Sequence, residues 1–100
     1  MIDAARTPIG KYRGSLSSFT AVELGTLVTK ELLDKTKLKK DKIDQVIFGN
    51  VLQAGNGQNV ARQIALNSGL PVDVPAMTIN EVCGSGMKAV ILARQLIQLG

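Results

Sequence analysis

A single cysteine, Cys83, stands directly in front of Gly84-Ser85-Gly86 within the stretch NEVCGSGMKAV, Asn80 to Val90. The residues ahead of it, Pro75 to Asn80, read as a short strand, and those behind it read as a helix from about Ser85 to Leu99, stopped by Gly100. The thiol therefore falls at a strand-to-helix corner. A helix that starts there presents N–H groups with no intrahelical partner and about half a unit of positive charge, a setting that favours a thiolate. Gly84 and Gly86 leave the backbone uncovered, so a substrate carbonyl can approach the Cys83 amide and accept a hydrogen bond as it becomes an oxyanion. These features suit nucleophilic acyl transfer. For a cysteine chosen blindly a small buried hydrophobe is the commoner role, and it is the position of Cys83 that sets it apart.

A cysteine nucleophile needs a base or a cationic partner, most often His, and the sequence has no His. Asp3, Glu23 and Asp73 are the carboxylates that could be put forward, but nothing in their spacing sets any of them beside Cys83. With one Cys and no His, neither an internal disulfide nor a Cys/His zinc site can form. Gly55-Asn56-Gly57-Gln58-Asn59-Val60 carries only the first two glycines of a dinucleotide fingerprint, without the acidic residue about twenty positions on. It reads as a tight turn. Five lysines cluster in KTKLKKDK (Lys35, Lys37, Lys39, Lys40 and Lys42) and account for the formal charge of +4. No stacking aromatics are interleaved with them, so they read as a solvated helix end and loop rather than a nucleic-acid surface.

The elements that must position Cys83 follow from composition and period. Among 100 residues 45% are hydrophobic and only three are aromatic, which implies an aliphatic core of the kind found in sheets covered by helices. No run of eighteen apolar residues and no signal-peptide core is present, so a cytoplasmic protein with no membrane segment is expected. Ile2 to Ala5 could form a first, very short strand. Thr20-Ala21-Val22-Glu23 has capping-box spacing and predicts a helix that dissolves near Asp34. Gln45 to Leu52 reads as a strand buried on both faces. Val60 to Asn67, closed by Gly69, reads as a short helix. The three strands are expected to form one mostly parallel sheet, because helical crossovers separate them. In the last helix Ala89, Val90, Leu92, Ala93, Leu96, Ile97 and Leu99 cover about half the circumference. Such a helix is expected to be buried, either between sheets or against another chain or domain. With so short a first strand and a chain that stops with its last helix, the 100 residues read as part of something larger.

Three groups of residues together resemble the N-terminal part of the thiolase family, in particular its acetyl-CoA acetyltransferases. They are Ala5-Arg6-Thr7-Pro8-Ile9-Gly10; Gly49 to Gly55 with Gly57-Gln58-Asn59 and Ala61-Arg62-Gln63; and Asn80 to Ala89. The resemblance implies a layered α/β thiolase-like fold, of which residues 1–100 are the first part of the N-terminal half, with a mostly parallel sheet and a buried helix after Cys83. It also implies that Cys83 takes an acyl group from acyl-CoA as a thioester and passes it to the α-carbon of a second acetyl-CoA. The net reaction is a Claisen condensation of two acetyl-CoA to acetoacetyl-CoA and CoA, or the reverse thiolysis. No cofactor is implied, coenzyme A thioesters being the substrates, and the intact enzyme is expected to be a homodimer or homotetramer. A second cysteine acting as acid/base, the activating histidines and most of the CoA-binding surface belong to segments absent here, so the isolated 100 residues are expected to be inactive. Val60 stands where the family commonly has Pro, which should loosen that first turn slightly. A β-ketoacyl-synthase-like condensing enzyme is the neighbouring reading, less suited to the ARTPIG and GNVLQAG segments. A non-catalytic binding or assembly module that docks through its apolar helix is the reading from a different class.

Overall fold

A computed structural model describes all 100 residues as three α-helices and a two-stranded parallel sheet. The order is α1 (Ala21–Thr36), a 3₁₀ turn (Lys40–Lys42), β1 (Val46–Gly49), α2 (Val60–Asn67), β2 (Ala76–Ile79) and α3 (Ser85–Leu99). Each helix begins and ends where its sequence signals fall.

Helix α1 opens with a complete capping box: the Thr20 hydroxyl accepts from Glu23 N–H at 3.1 Å, and the Glu23 carboxylate accepts from Thr20 N–H at 2.7 Å. It closes at Lys37, which adopts a left-handed conformation at φ 55°. Helix α2 is capped by Asn59, whose side chain accepts from Arg62 N–H. It ends in a Schellman motif, with Gly69 at φ 75°, Gly69 N–H bonded to Leu66 C=O and Leu70 N–H to Ala65 C=O.

The core sits between α1, α2 and one face of the sheet. Val22, Val60 and Ile64 form its centre and Phe48 of β1 packs against them. Gly25 is what lets the two helices meet, because a Cβ there would run into the Cδ1 of Ile64. Phe48 pairs with Thr78 across the sheet. The Thr78 hydroxyl accepts from Ala61 N–H at 2.9 Å and donates to the Asn59 side chain at 2.8 Å, fastening α2 to this face. Side chains alternate along a strand, so Gly49, the neighbour of Phe48, faces the other way, and there α3 docks.

The two-stranded parallel framework departs from expectation in two places. Ile2 to Ala5 forms no strand, and the sheet has two strands rather than three. Asp3 instead accepts from Ala4 N–H at 2.7 Å and pairs with Lys35 of α1 at 3.0 Å, while Ile2 stays 82% exposed. With Ile2 in water, these four residues bury too little to offset the entropy of ordering a strand. The strands are also shorter than Gln45–Leu52 and Pro75–Asn80 suggest, with four residues each. Helix α3, by contrast, meets the expectation of an apolar face left for another chain or domain. Only Ser85 and Ala89 are covered, whereas Met87, Val90, Ile97 and Leu99 are 57–84% exposed. A two-stranded sheet is too narrow to cover half the circumference of a fifteen-residue helix. The expected apolar area without contacts is present on its outer side.

The capping box makes α1 sensitive to acid. Glu23 is held below its ordinary value first by the Thr20 N–H bond and then by the Thr20 hydroxyl, and Asp3 is lowered by Ala4 N–H and then by Lys35. A carboxylate lowered in the folded state contributes stability that is present above its ordinary value and lost as the pH falls through the folded one. For Glu23 that window lies below 4.5. Helicity followed by circular dichroism should therefore fall below that pH, and Glu23→Gln should flatten the response. Thr20→Ala should lower the melting temperature at neutral pH by about 4–8 °C, the consequence of losing about 1 kcal/mol of capping.

Candidate functional site

Between the end of β2 at Ile79 and the start of α3 at Ser85, five residues make the corner that carries Cys83. Ile79 C=O accepts from Asn50 N–H at 3.0 Å, which prolongs the ladder by one step, and the Asn80 side chain donates to Val51 C=O at 3.3 Å. The chain then turns sharply. Val82 has φ 50°, the left-handed region that a β-branched residue occupies only under constraint, at a cost of about 1–3 kcal/mol.

The constraint is a set of short hydrogen bonds. Val82 N–H donates to the Asn80 side-chain oxygen at 2.9 Å. The Ser85 hydroxyl donates to Val82 C=O at 2.6 Å and accepts from Glu81 N–H at 2.8 Å. Gly84 N–H donates to Glu81 C=O and Ser85 N–H to Val82 C=O, both at 3.1 Å. Ser85 itself is buried, at 4% exposure.

Cys83 emerges from this turn exposed, as a free thiol. Gly84 is the N-cap of α3 and provides no side-chain cap. The N–H groups of Cys83, Gly86 and Met87 accordingly donate to no group of the chain. A Cβ on Gly86 would meet nothing within 4 Å, so that side of the first turn of α3 is open. Two shallow concavities lie elsewhere: one is lined by Phe19, Glu23, Thr26, Leu27 and Asn67, the other by Lys30, Leu33, Asp34, Lys40 and Ser68. Neither touches Cys83. The nearest ion pair is Glu81 with Lys88 at 3.5 Å, on exposed side chains, and worth little in water.

Of the side chains put forward for chemistry from sequence, Cys83 alone belongs to this corner. Asp3 is engaged by Lys35 and Glu23 by the Thr20 cap. Asp73 lies in the exposed turn from Pro71 to Val74. The glycine loop is a structural turn: Gly55 and Gly57 have φ of 80° and 76°, and the Gln63 side chain of α2 donates to Asn56 C=O and Gln58 C=O at 2.8 and 2.9 Å.

Sequence reasoning includes Gly49, Asn80, Val82 and Ser85 in the family-like segments but assigns them no role. The visible signal is the spacing Asn-x-x-Cys-x-Ser, since Asn and Ser are the residues whose short side chains bond to nearby backbone. Gly49 is required by contact. A Cβ there would overlap the Ser85 carbonyl carbon and lie 2.6 Å from Gly86 N and 2.7 Å from Ser85 O, all backbone atoms that cannot rotate away. Gly49→Ala should force the start of α3 off β1 and destabilise the fold by about 1–3 kcal/mol. Thermal unfolding measures that loss, and a changed rate of Cys83 alkylation by iodoacetamide reports the displaced corner.

The full chain, residues 1–100, matches the family model for the thiolase N-terminal domain. It is 59% identical to an acetyl-CoA acetyltransferase of Allochromatium vinosum and 53% identical to one of Cupriavidus necator, in each case over 100% of this chain and 25% of the relative. Among solved structures it is similar to the Acat5 thiolase from Ascaris suum in complex with coenzyme A, with a TM-score of 0.95 and 48% identity, over 99% of this chain and 26% of that one. A parallel sheet with a cysteine corner leading into α3 is thus an α/β thiolase-like arrangement. The chain belongs to the thiolase family, and it spans about a quarter of the length of the curated relatives it matches. The β-ketoacyl-synthase alternative yields to this match.

Proposed function

We propose that this chain is the nucleophile-bearing portion of an acyltransferase that condenses two acetyl-CoA to acetoacetyl-CoA and CoA, or runs the reverse thiolysis. The observation that carries the reading is the exposed Cys83 thiol beside the unpartnered N–H groups of Cys83, Gly86 and Met87. In the first half-reaction the Cys83 thiolate adds to the acetyl-CoA carbonyl. A bond forms between Sγ and the acetyl carbon, the carbonyl oxygen takes the charge while it accepts from main-chain N–H, and CoA leaves as its thiolate. The acetyl group is then held as a thioester on Cys83. In the second, the α-carbanion of another acetyl-CoA attacks that thioester and regenerates the Cys83 thiolate.

The proton transfers belong to groups outside these residues, because the chain has no His and no second Cys. The substrates are coenzyme A thioesters and no cofactor takes part. No helix is long and apolar enough to cross a membrane, and one relative, 52% identical, is described as cytosolic; a cytoplasmic location is part of the same proposal. So is a homodimer or homotetramer for the intact enzyme.

The test is incubation of a full-length enzyme that contains these 100 residues with acetyl-radiolabelled acetyl-CoA, followed by peptide mapping. One label per chain on the peptide containing Cys83, discharged by free CoA, is the expected result. Labelling confined to another residue would overturn the reading.

A further inference from the structure

We propose that Ser85 is a positioning residue for the nucleophile, which acts by holding Val82 in its left-handed conformation so that the next residue, Cys83, projects from the corner. The proposal rests on Cys83 being the acyl carrier and concerns what aims it.

Val82 is the one β-branched residue of the chain with positive φ, and nothing in its own side chain favours that state, since it is 65% exposed. What keeps it there must be the backbone's partners. On one side the Asn80 side chain takes Val82 N–H. On the other the Ser85 hydroxyl donates to Val82 C=O and, with its lone pair, accepts from Glu81 N–H. One hydroxyl thus ties the peptide that follows Val82 to the one that precedes Glu81, bracketing the bend that contains the strained residue, and its own donor and acceptor are both used. Ser85 is 4% exposed and rests on Gly49, so the hydroxyl cannot swing out to water. Without it Glu81 N–H loses its partner, while Val82 C=O keeps only Ser85 N–H. Val82 is then free to relax toward negative φ, and that rotation carries the Cys83 thiol and N–H away from their common target.

The experiment uses the full-length enzyme and reads the rate of acetyl-Cys83 formation together with steady-state kcat and KM. Ser85→Ala should slow acetylation by about tenfold to a hundredfold, the scale of a misplacement of about an ångström at a reacting centre. It should lower kcat while KM for acetyl-CoA changes by no more than about twofold. Ser85→Thr keeps a hydroxyl at the same atom and should restore most of the rate. Val82→Gly introduced into Ser85→Ala should recover at least about threefold, because glycine occupies positive φ without strain. A merely structural serine would show no such relief from removing a side chain at a different residue.

Asn80→Ala loosens Val82 from the opposite side and gives a second handle should Ser85→Ala fail to fold. It too should slow acetylation and be relieved by Val82→Gly. Wild-type acetylation rates in these variants would overturn the proposal, as would losses that Val82→Gly leaves unchanged. A parent enzyme that takes up no label on Cys83 would instead overturn the acyl-carrier reading itself, so the two failures are distinguishable.

Discussion

Replacing Cys83 by Ala in the full-length enzyme is expected to abolish acetyl-enzyme formation and to reduce turnover by about 10⁴-fold or more. The covalent route depends on one sulfur, and no other Cys is present in this segment to substitute for it. Oxyanion donors and bound substrate would remain, but they have nothing to stabilise if no tetrahedral adduct forms. The loss will not come from unfolding. The Cys83 side chain is exposed and makes no hydrogen bond, so its removal should leave stability within about 0.5 kcal/mol of the parent. Equal melting temperatures with absent label separate chemistry from folding. Normal turnover in the variant would sink the nucleophile assignment.

The second large effect concerns the 100 residues by themselves. Incubated with acetyl-CoA, they should form acetoacetyl-CoA at no useful rate, and should not thiolyse it. The thiol and its neighbouring N–H groups are in place, but no His or second Cys can generate the thiolate or remove the α-proton. Acid/base assistance of that kind contributes about 10² to 10⁴ in rate. Positioning of the CoA thioester contributes more. Assays of the isolated and full-length forms side by side decide the matter. A fully active isolated segment would show that these residues need no outside base.

The helices were legible in the sequence because their signals are local. Thr20 and Glu23 announce α1, Gly69 closes α2, and Ser85 to Leu99 repeats apolar residues at helical spacing. The parallel pairing of β1 with β2 followed from the helical crossover between them. Cys83 was legible because Gly84 and Gly86 flank it at an element boundary. What escaped depends on contacts that residue propensity does not encode. Nothing next to Gly49 in sequence tells that the α3 backbone will press on it. The φ of Val82 is set by Asn80 and Ser85 against the preference of valine itself, and local propensity points the wrong way. Ile2 to Ala5 looked like a strand by composition and failed for want of a neighbour. The apolar arc of α3 was legible too, and it stays open within this chain because a sheet of two strands cannot cover it.

That arc has a consequence for synthesis. A ribosome adds about 5–20 residues per second, so in a protein four times this length, the proportion set by the 25% coverage of the relatives, at least about 15 seconds pass before translation ends. Where these residues emerge first, Met87, Val90, Ile97 and Leu99 stand in water for that interval. A nascent chain with such a stripe is a binding target for chaperones that capture apolar helices, and at high expression two unfinished chains can meet through it. Slowing elongation would lengthen this exposure, and yield would then depend on how long the stripe stays in water.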